Sequence, residues 1–155
     1  MNRDRVVQVG LLVLAIPSVV VGAWAGLAPR SFYDDFPGFS AWVSPDGPYN
    51  EHVVRDVGWL NLALALVTLI AAWTLARALV GAALGAWLVY GVPHLVYHLN
   101  HLDAYDTGDQ VAMIASLAVA PVVAVLLLAL GRRSARSGAK IPASEATARS
   151  SPSSR

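Results

Sequence analysis

Residues 79–103 read LVGAALGAWLVYGVPHLVYHLNHLD, and from Leu79 to Tyr97 the stretch holds no Asp, Glu, Lys or Arg. At about 1.5 Å of rise per residue, such a run is long enough as a helix to cross a hydrocarbon core of about 30 Å. The same stretch carries three of the four histidines, His94, His98 and His101. At about 100° per residue, an unbroken helix puts His98 roughly 40° to one side of His94 and His101 roughly 20° to the other, so one face holds all three imidazoles. Measured from Arg77, His94 lies about 25 Å along this helix, at a depth where an ionisable group is costly and marks a functional site by default.

Working outward, the composition agrees with this stretch. Hydrophobic residues make up 56% of the chain and charged ones 14%, with a mean hydropathy of +0.55. A soluble domain of this length has too small a core to bury that much apolar surface. The net charge of +1 has no basic stripe behind it, which excludes a nucleic-acid binder. With no cysteine there is neither a disulfide framework nor a thiolate site, so any metal ligands must come from His, Asp, Glu or Asn.

Three further apolar runs give helices at about residues 6–27, 51–76 and 109–130, beside 79–99. The expectation is an all-α integral membrane protein, a four-transmembrane-helix antiparallel bundle spanning 1–131. Arg3 and Arg5 precede the first run and Ala23-Trp24-Ala25 has the small residues of a cleavage site, yet the run exceeds the apolar core of about 7–15 residues typical of a signal peptide. It is read as a retained helix.

The connection after helix one is aromatic, with Phe32, Tyr33, Phe36, Phe39 and Trp42, and Ser31-x-x-Asp34 resembles a helix start. An interfacial segment over 30–43 is predicted, followed by a Ser44-Pro45-Asp46-Gly47 turn and an N-cap at Asn50. Thr74 to Ala78 leaves room only for a tight turn, which makes helices two and three antiparallel neighbours. Thr107-x-x-Gln110 reads as a capping box. Residues 132–155, rich in Ser, Ala and Arg, read as a disordered cytoplasmic tail.

Nine basic residues (Arg3, Arg5, Arg77, Arg132, Arg133, Arg136, Lys140, Arg149 and Arg155) fall on one side of this topology, against Arg30 and Arg55 on the other. Both termini are therefore predicted cytoplasmic in a plasma (inner) membrane. Gly22-x-x-x-Gly26 and Gly81-x-x-x-Gly85 offer smooth faces for close helix packing. Gly22-Ala23-Trp24 before Pro29, and Gly85-Ala86-Trp87 before Pro93, echo one another and hint at a two-plus-two hairpin repeat.

The candidate site gathers at the outer end. His52 and Asp56 lie one turn apart near the start of helix two, at a height that matches His94, His98 and His101 on helix three. Together these five form a His/carboxylate set suited to Zn, Fe or Cu, or to bis-histidine haem through His52 and His94 or His98. A metal-binding or redox-accessory protein is the leading expectation. Two alternatives are a lipid or small-molecule modifying enzyme using His94 or Asp56 as acid or base, and a structural or partner-binding subunit without chemistry. The plainer reading has His94 bonded to a carbonyl freed by Pro93, His98 and His101 reaching for water, and Arg55 paired with Glu51.

The Ala28-Pro29 exit with Phe32-Tyr33, the Asn50-Glu51-His52 start with Arg55-Asp56, and the Pro93-His94 to His101 run resemble a group of small bacterial membrane proteins similar in layout to the DoxX-like proteins. The resemblance covers about residues 5–130. It implies a four-helix membrane bundle with the lipid bilayer as its surroundings, and carries no activity or ligand.

Overall fold

Three of the long helices start at a side chain that accepts from one of their first free amides, whereas the one beginning at Arg77 starts without such a cap. The computed structural model describes residues 2–138, with side chains to residue 131. Asn2 accepts from the Asp4 amide at 3.1 Å and opens α1, Arg3–Leu27. Pro29, whose ring fixes φ at a helical value, opens the short α2, Pro29–Asp35. The predicted start at Ser31 is therefore corrected: Ser31 donates to Asp35, Arg30 pairs with Asp34 at 2.6 Å, and the helical part of the 30–43 segment ends at Asp35. A single 3-10 turn, Ser44–Asp46, occupies the predicted turn.

Asn50 caps α3, Glu51–Thr74, by accepting from the Val53 amide at 3.2 Å. Only Leu75 and Ala76 then separate α3 from α4, Arg77–Leu99, with Leu75 in the left-handed region at φ 52°. Arg77 is thus the first residue of α4. The last helix, α5, runs Thr107–Gly138. Its cap is Asp106, which accepts from the Asp109 amide at 2.9 Å, while Gln110 bonds the Leu102 and Tyr105 carbonyls. The predicted capping box is displaced because a carboxylate one residue earlier is the better N-cap. The predicted tail start at 132 is also corrected, since no proline or glycine interrupts Arg132 to Ser137 and the helix continues to Gly138. The remainder of that tail, 139–155, lies outside the described residues.

The described residues are all-helical, and α1, α3, α4 and the Thr107–Gly131 part of α5 are each long and apolar enough to cross a membrane. Beside a core that includes Leu11, Leu84 and Met113, their outer faces carry many large apolar side chains. Trp73, Val89, Leu60 and Leu126 point outward, while Ala15, Ala65, Ala71, Ala83 and Ala124 are sealed inside. In lipid a large aliphatic side chain gains nothing by hiding, so close approach of small residues decides the interior.

The most extensive pairings are α1 with α3 and α4 with α5; α3 also meets α4, and α1 touches α5. Along the first pair, Gln8 donates to the Ala72 carbonyl at 3.2 Å, Ser18 to Asn61 at 3.0 Å, and Arg55 to the Gly26 carbonyl at 2.6 Å. Residue numbers rise on α1 as they fall on α3. Gly22, Gly26 and Gly58 let the backbones meet: a Cβ on Gly58 would run into the Gly26 backbone, and one on Gly22 into Leu62 and the Gly58 carbonyl. Gly81 and Gly85 meet nothing within 4 Å. The two halves of the sequence echo therefore pack differently.

Candidate ligand cavity

Between these pairs, at the end carrying the long connections, lies a cavity of about 510 Å³. All four long helices line it, and the connection between α2 and α3 roofs it with Trp42, Val43 and Asp46. Its walls are apolar and aromatic, including Val54, Val57, Trp87, Tyr90 and Leu117, which is the usual character of a site for a small organic molecule.

Several polar side chains break that wall. On the floor, Ser18 Oγ donates to both the carbonyl and the side-chain oxygen of Asn61 at 3.0 Å, and Asn61 Nδ2 donates to the Val57 carbonyl at 2.9 Å. Deeper in the interior, Trp87 Nε1 donates to Thr68 Oγ1 at 2.9 Å. Hydrogen bonds of this kind within a membrane contribute about 0.6–2 kcal/mol each.

At the mouth, α4 carries a ladder of rings one turn apart. Tyr90 stacks on His94 with centroids 5.3 Å apart, and His94 meets His98 edge to face at 4.9 Å. Both imidazoles line the cavity. Asp46 reaches the same mouth from the roof and accepts from the Tyr97 hydroxyl at 3.2 Å. Among the described residues, His98 Nδ1 is the one buried side-chain polar atom with no hydrogen-bond partner.

The expected five-residue set does not converge. His52 pairs with Asp56 at 3.3 Å along α3, with 84% and 54% of their side chains exposed, and neither lines the cavity. Arg55 pairs with Glu51 at 2.8 Å. His101 also leaves the predicted shared face: α4 ends at Leu99, and His101 folds back to stack on Tyr97 at 4.1 Å with Nδ1 2.7 Å from the Tyr97 carbonyl. Only His94 and His98 remain together. Among the described residues no three His, Asp or Glu side chains form a group able to hold a metal ion.

The sequence reading missed Asp46, Tyr90, Ser18 and Asn61. Ser18 and Asn61 did leave a signal, as polar residues within apolar helices, and Tyr90 stands one turn before His94; Asp46 gave none beyond its turn.

Among the described residues, the fold and cavity define an all-helical protein with four helices of membrane-crossing length and an apolar chamber at one end. No family model, curated protein or solved structure matches the chain.

Proposed function

We propose that this is a multi-pass plasma-membrane protein, a four-helix antiparallel bundle whose cavity opens on the outer side and takes in an apolar or lipid-like small molecule with a hydrogen-bonding head. The observation that carries this reading is His98 Nδ1, a sealed polar atom set in an apolar chamber beside His94. A buried polar atom without a partner costs about 1–3 kcal/mol, which a ligand hydroxyl or carbonyl at that point would recover. The two imidazoles are also the groups placed to give or take a proton from a bound head. Close pairing of α1 with α3 and of α4 with α5 supports two hairpins, and the nine-to-two basic bias supports an outward mouth. By layout alone we set the chain beside the DoxX-like proteins.

A Zn, Fe or Cu site has only the His94–His98 pair to build on, because His101 and the His52–Asp56 pair are engaged elsewhere. Bis-histidine haem fits less well still, with His52 outside the cavity.

The test is photolabelling of detergent-purified protein with a diazirine-bearing long-chain alcohol. Adducts should concentrate on cavity residues such as Val54 and Leu117, and should fall sharply in the His94→Phe, His98→Phe double variant. An even spread over the outward-facing Val89 and Leu126, unchanged in that variant, would overturn the reading. Reporter fusions at Asp46 and Arg132 should report opposite sides of the membrane, with Asp46 outside.

A further inference from the structure

A second chamber, of about 410 Å³, lies at the opposite end of the helices, between the starts of α1 and α4 and the last described side chains of α5. Its mouth carries two guanidinium groups, Arg3 and Arg77, and one carboxylate, Asp4. Below them the walls are Val7, Val80, Leu84 and Leu127. The chamber therefore has a charged rim and an apolar body, which is the division of a phospholipid.

Charge pairing distinguishes this rim from the arginines at the other end. Arg30 is held by Asp34 and Arg55 by Glu51. Among the described residues, Arg3 and Arg77 have no carboxylate partner within 4.0 Å. Arg77 is held at the rim by the two-residue turn before it, and Arg3 by the Asn2 cap that starts α1.

The route for an acyl chain is equally defined. Gly81 lines the chamber, and a Cβ built on Gly81 or Gly85 would meet no atom within 4 Å. One turn apart on α4, they leave a strip of the helix flank free of side chains, with Gly81 in the chamber wall, and this strip is the channel offered to an acyl chain. In α1 the same spacing, Gly22 with Gly26, is filled by α3.

We propose that this chamber is a phospholipid site selective for a singly charged anionic headgroup bearing hydroxyls, of the phosphatidylglycerol type. The phosphodiester accepts from the Arg3 and Arg77 forks, and a headgroup hydroxyl donates to Asp4. Among the described side chains of the rim, two positive charges and one negative leave an excess of one, which a monoanionic head neutralises and a zwitterionic one does not. Basic pockets between membrane helices are general sites for such heads.

The test is native mass spectrometry of the full chain in detergent, titrated separately with phosphatidylglycerol, phosphatidylethanolamine, phosphatidylcholine and free glycerol phosphate. Phosphatidylglycerol should be retained preferentially, and the Arg3→Gln, Arg77→Gln double variant should lower its affinity about thirty-fold, at about five-fold per arginine near a bilayer surface. Gly81→Leu fills the channel while leaving every charge in place, and should reduce retention with unchanged helical content by circular dichroism. Equal retention of phosphatidylglycerol and either zwitterionic lipid would overturn the proposal. So would full displacement by glycerol phosphate, or wild-type retention in both variants.

Discussion

Trp42 donates its indole Nε1–H to Asp109 Oδ1 across 2.8 Å, tying the middle of the connection between α2 and α3 to the first turn of α5. Ser40 donates to the other oxygen of the same carboxylate at 2.5 Å, and the Tyr105 hydroxyl donates to the Trp42 carbonyl at 2.7 Å. Trp42 is thereby held at both its side chain and its backbone. Trp42 also lines the cavity, so the latch fixes part of its roof. The aromatic packing of Phe36 and Phe39 on the Trp42 ring, edge to face at 6.0 and 5.6 Å, completes the roof.

Asp109→Ala removes both acceptors of this latch at once. Bonds to a charged acceptor are among the stronger ones, so amide hydrogen exchange over residues 37–47 should quicken roughly tenfold in detergent-purified protein. Ser40→Ala should give a smaller effect. Exchange in Asp109→Ala that matches the wild type would show that the roof does not depend on the Asp109 carboxylate.

Tyr105 adds a pH dependence with a definite sign. Burial first, and the field of the Asp46 carboxylate second, raise its pKa above the ordinary phenol value. A group with a raised folded pKa contributes its full stability below its free pKa, here about 10, and loses it as pH climbs through the folded value. The phenolate cannot donate to the Trp42 carbonyl. The roof should loosen above about pH 10, seen as a rise in exchange or proteolysis at residues 37–47, and Tyr105→Phe should loosen it already at neutral pH without any alkaline step. An alkaline step that persists in Tyr105→Phe would assign it to another group.

The helices were legible because membrane-length apolar runs and caps are local features. Asn50 and the apolar content of Leu79 to Tyr97 needed no tertiary information. The cavity was not legible in the same way. Three histidines at i, i+4 and i+7 share a face only while the helix lasts, and α4 ends at Leu99, two residues before His101. His52 and Asp56 satisfy each other along their own helix, a pairing that spacing alone could not rank against a cross-helix one. Asp46 comes to line the same cavity as His94 and His98 by the fold of the whole α2 to α3 connection, and no pattern in the sequence states that. The two glycine pairs make the same point, since Gly22-x-x-x-Gly26 is a contact surface and Gly81-x-x-x-Gly85 is not.

That contrast yields a matched pair of substitutions. Gly58→Ala places a Cβ against the Gly26 backbone, where no flexible side chain can yield, so α1 and α3 must separate. The cost should be about 1–3 kcal/mol, the range for overpacking a tight interface, read as a lower melting temperature in detergent. Gly85→Ala adds the same methyl group where nothing stands within 4 Å and should leave the melting temperature unchanged or slightly raised, as alanine is the better helix former. Equal losses from both would mean that the α1–α3 contact is not the close one.

The last prediction separates stability from binding at His98. Its Nδ1 is sealed without a partner, so replacing the ring by phenylalanine keeps the edge-to-face contact with His94 while removing the unsatisfied atom. His98→Phe should therefore hold or raise stability, by up to about 1 kcal/mol, while reducing photolabelling by the long-chain alcohol. His101→Phe changes a ring that is exposed and stacked on Tyr97 outside the cavity, and should leave labelling untouched. A residue kept for packing would show the opposite pattern at position 98, with lost stability and unchanged labelling. Gain in stability together with loss of labelling is the signature of a polar atom held ready for a ligand, because the cost of its burial is recovered only when something accepts or donates at that point.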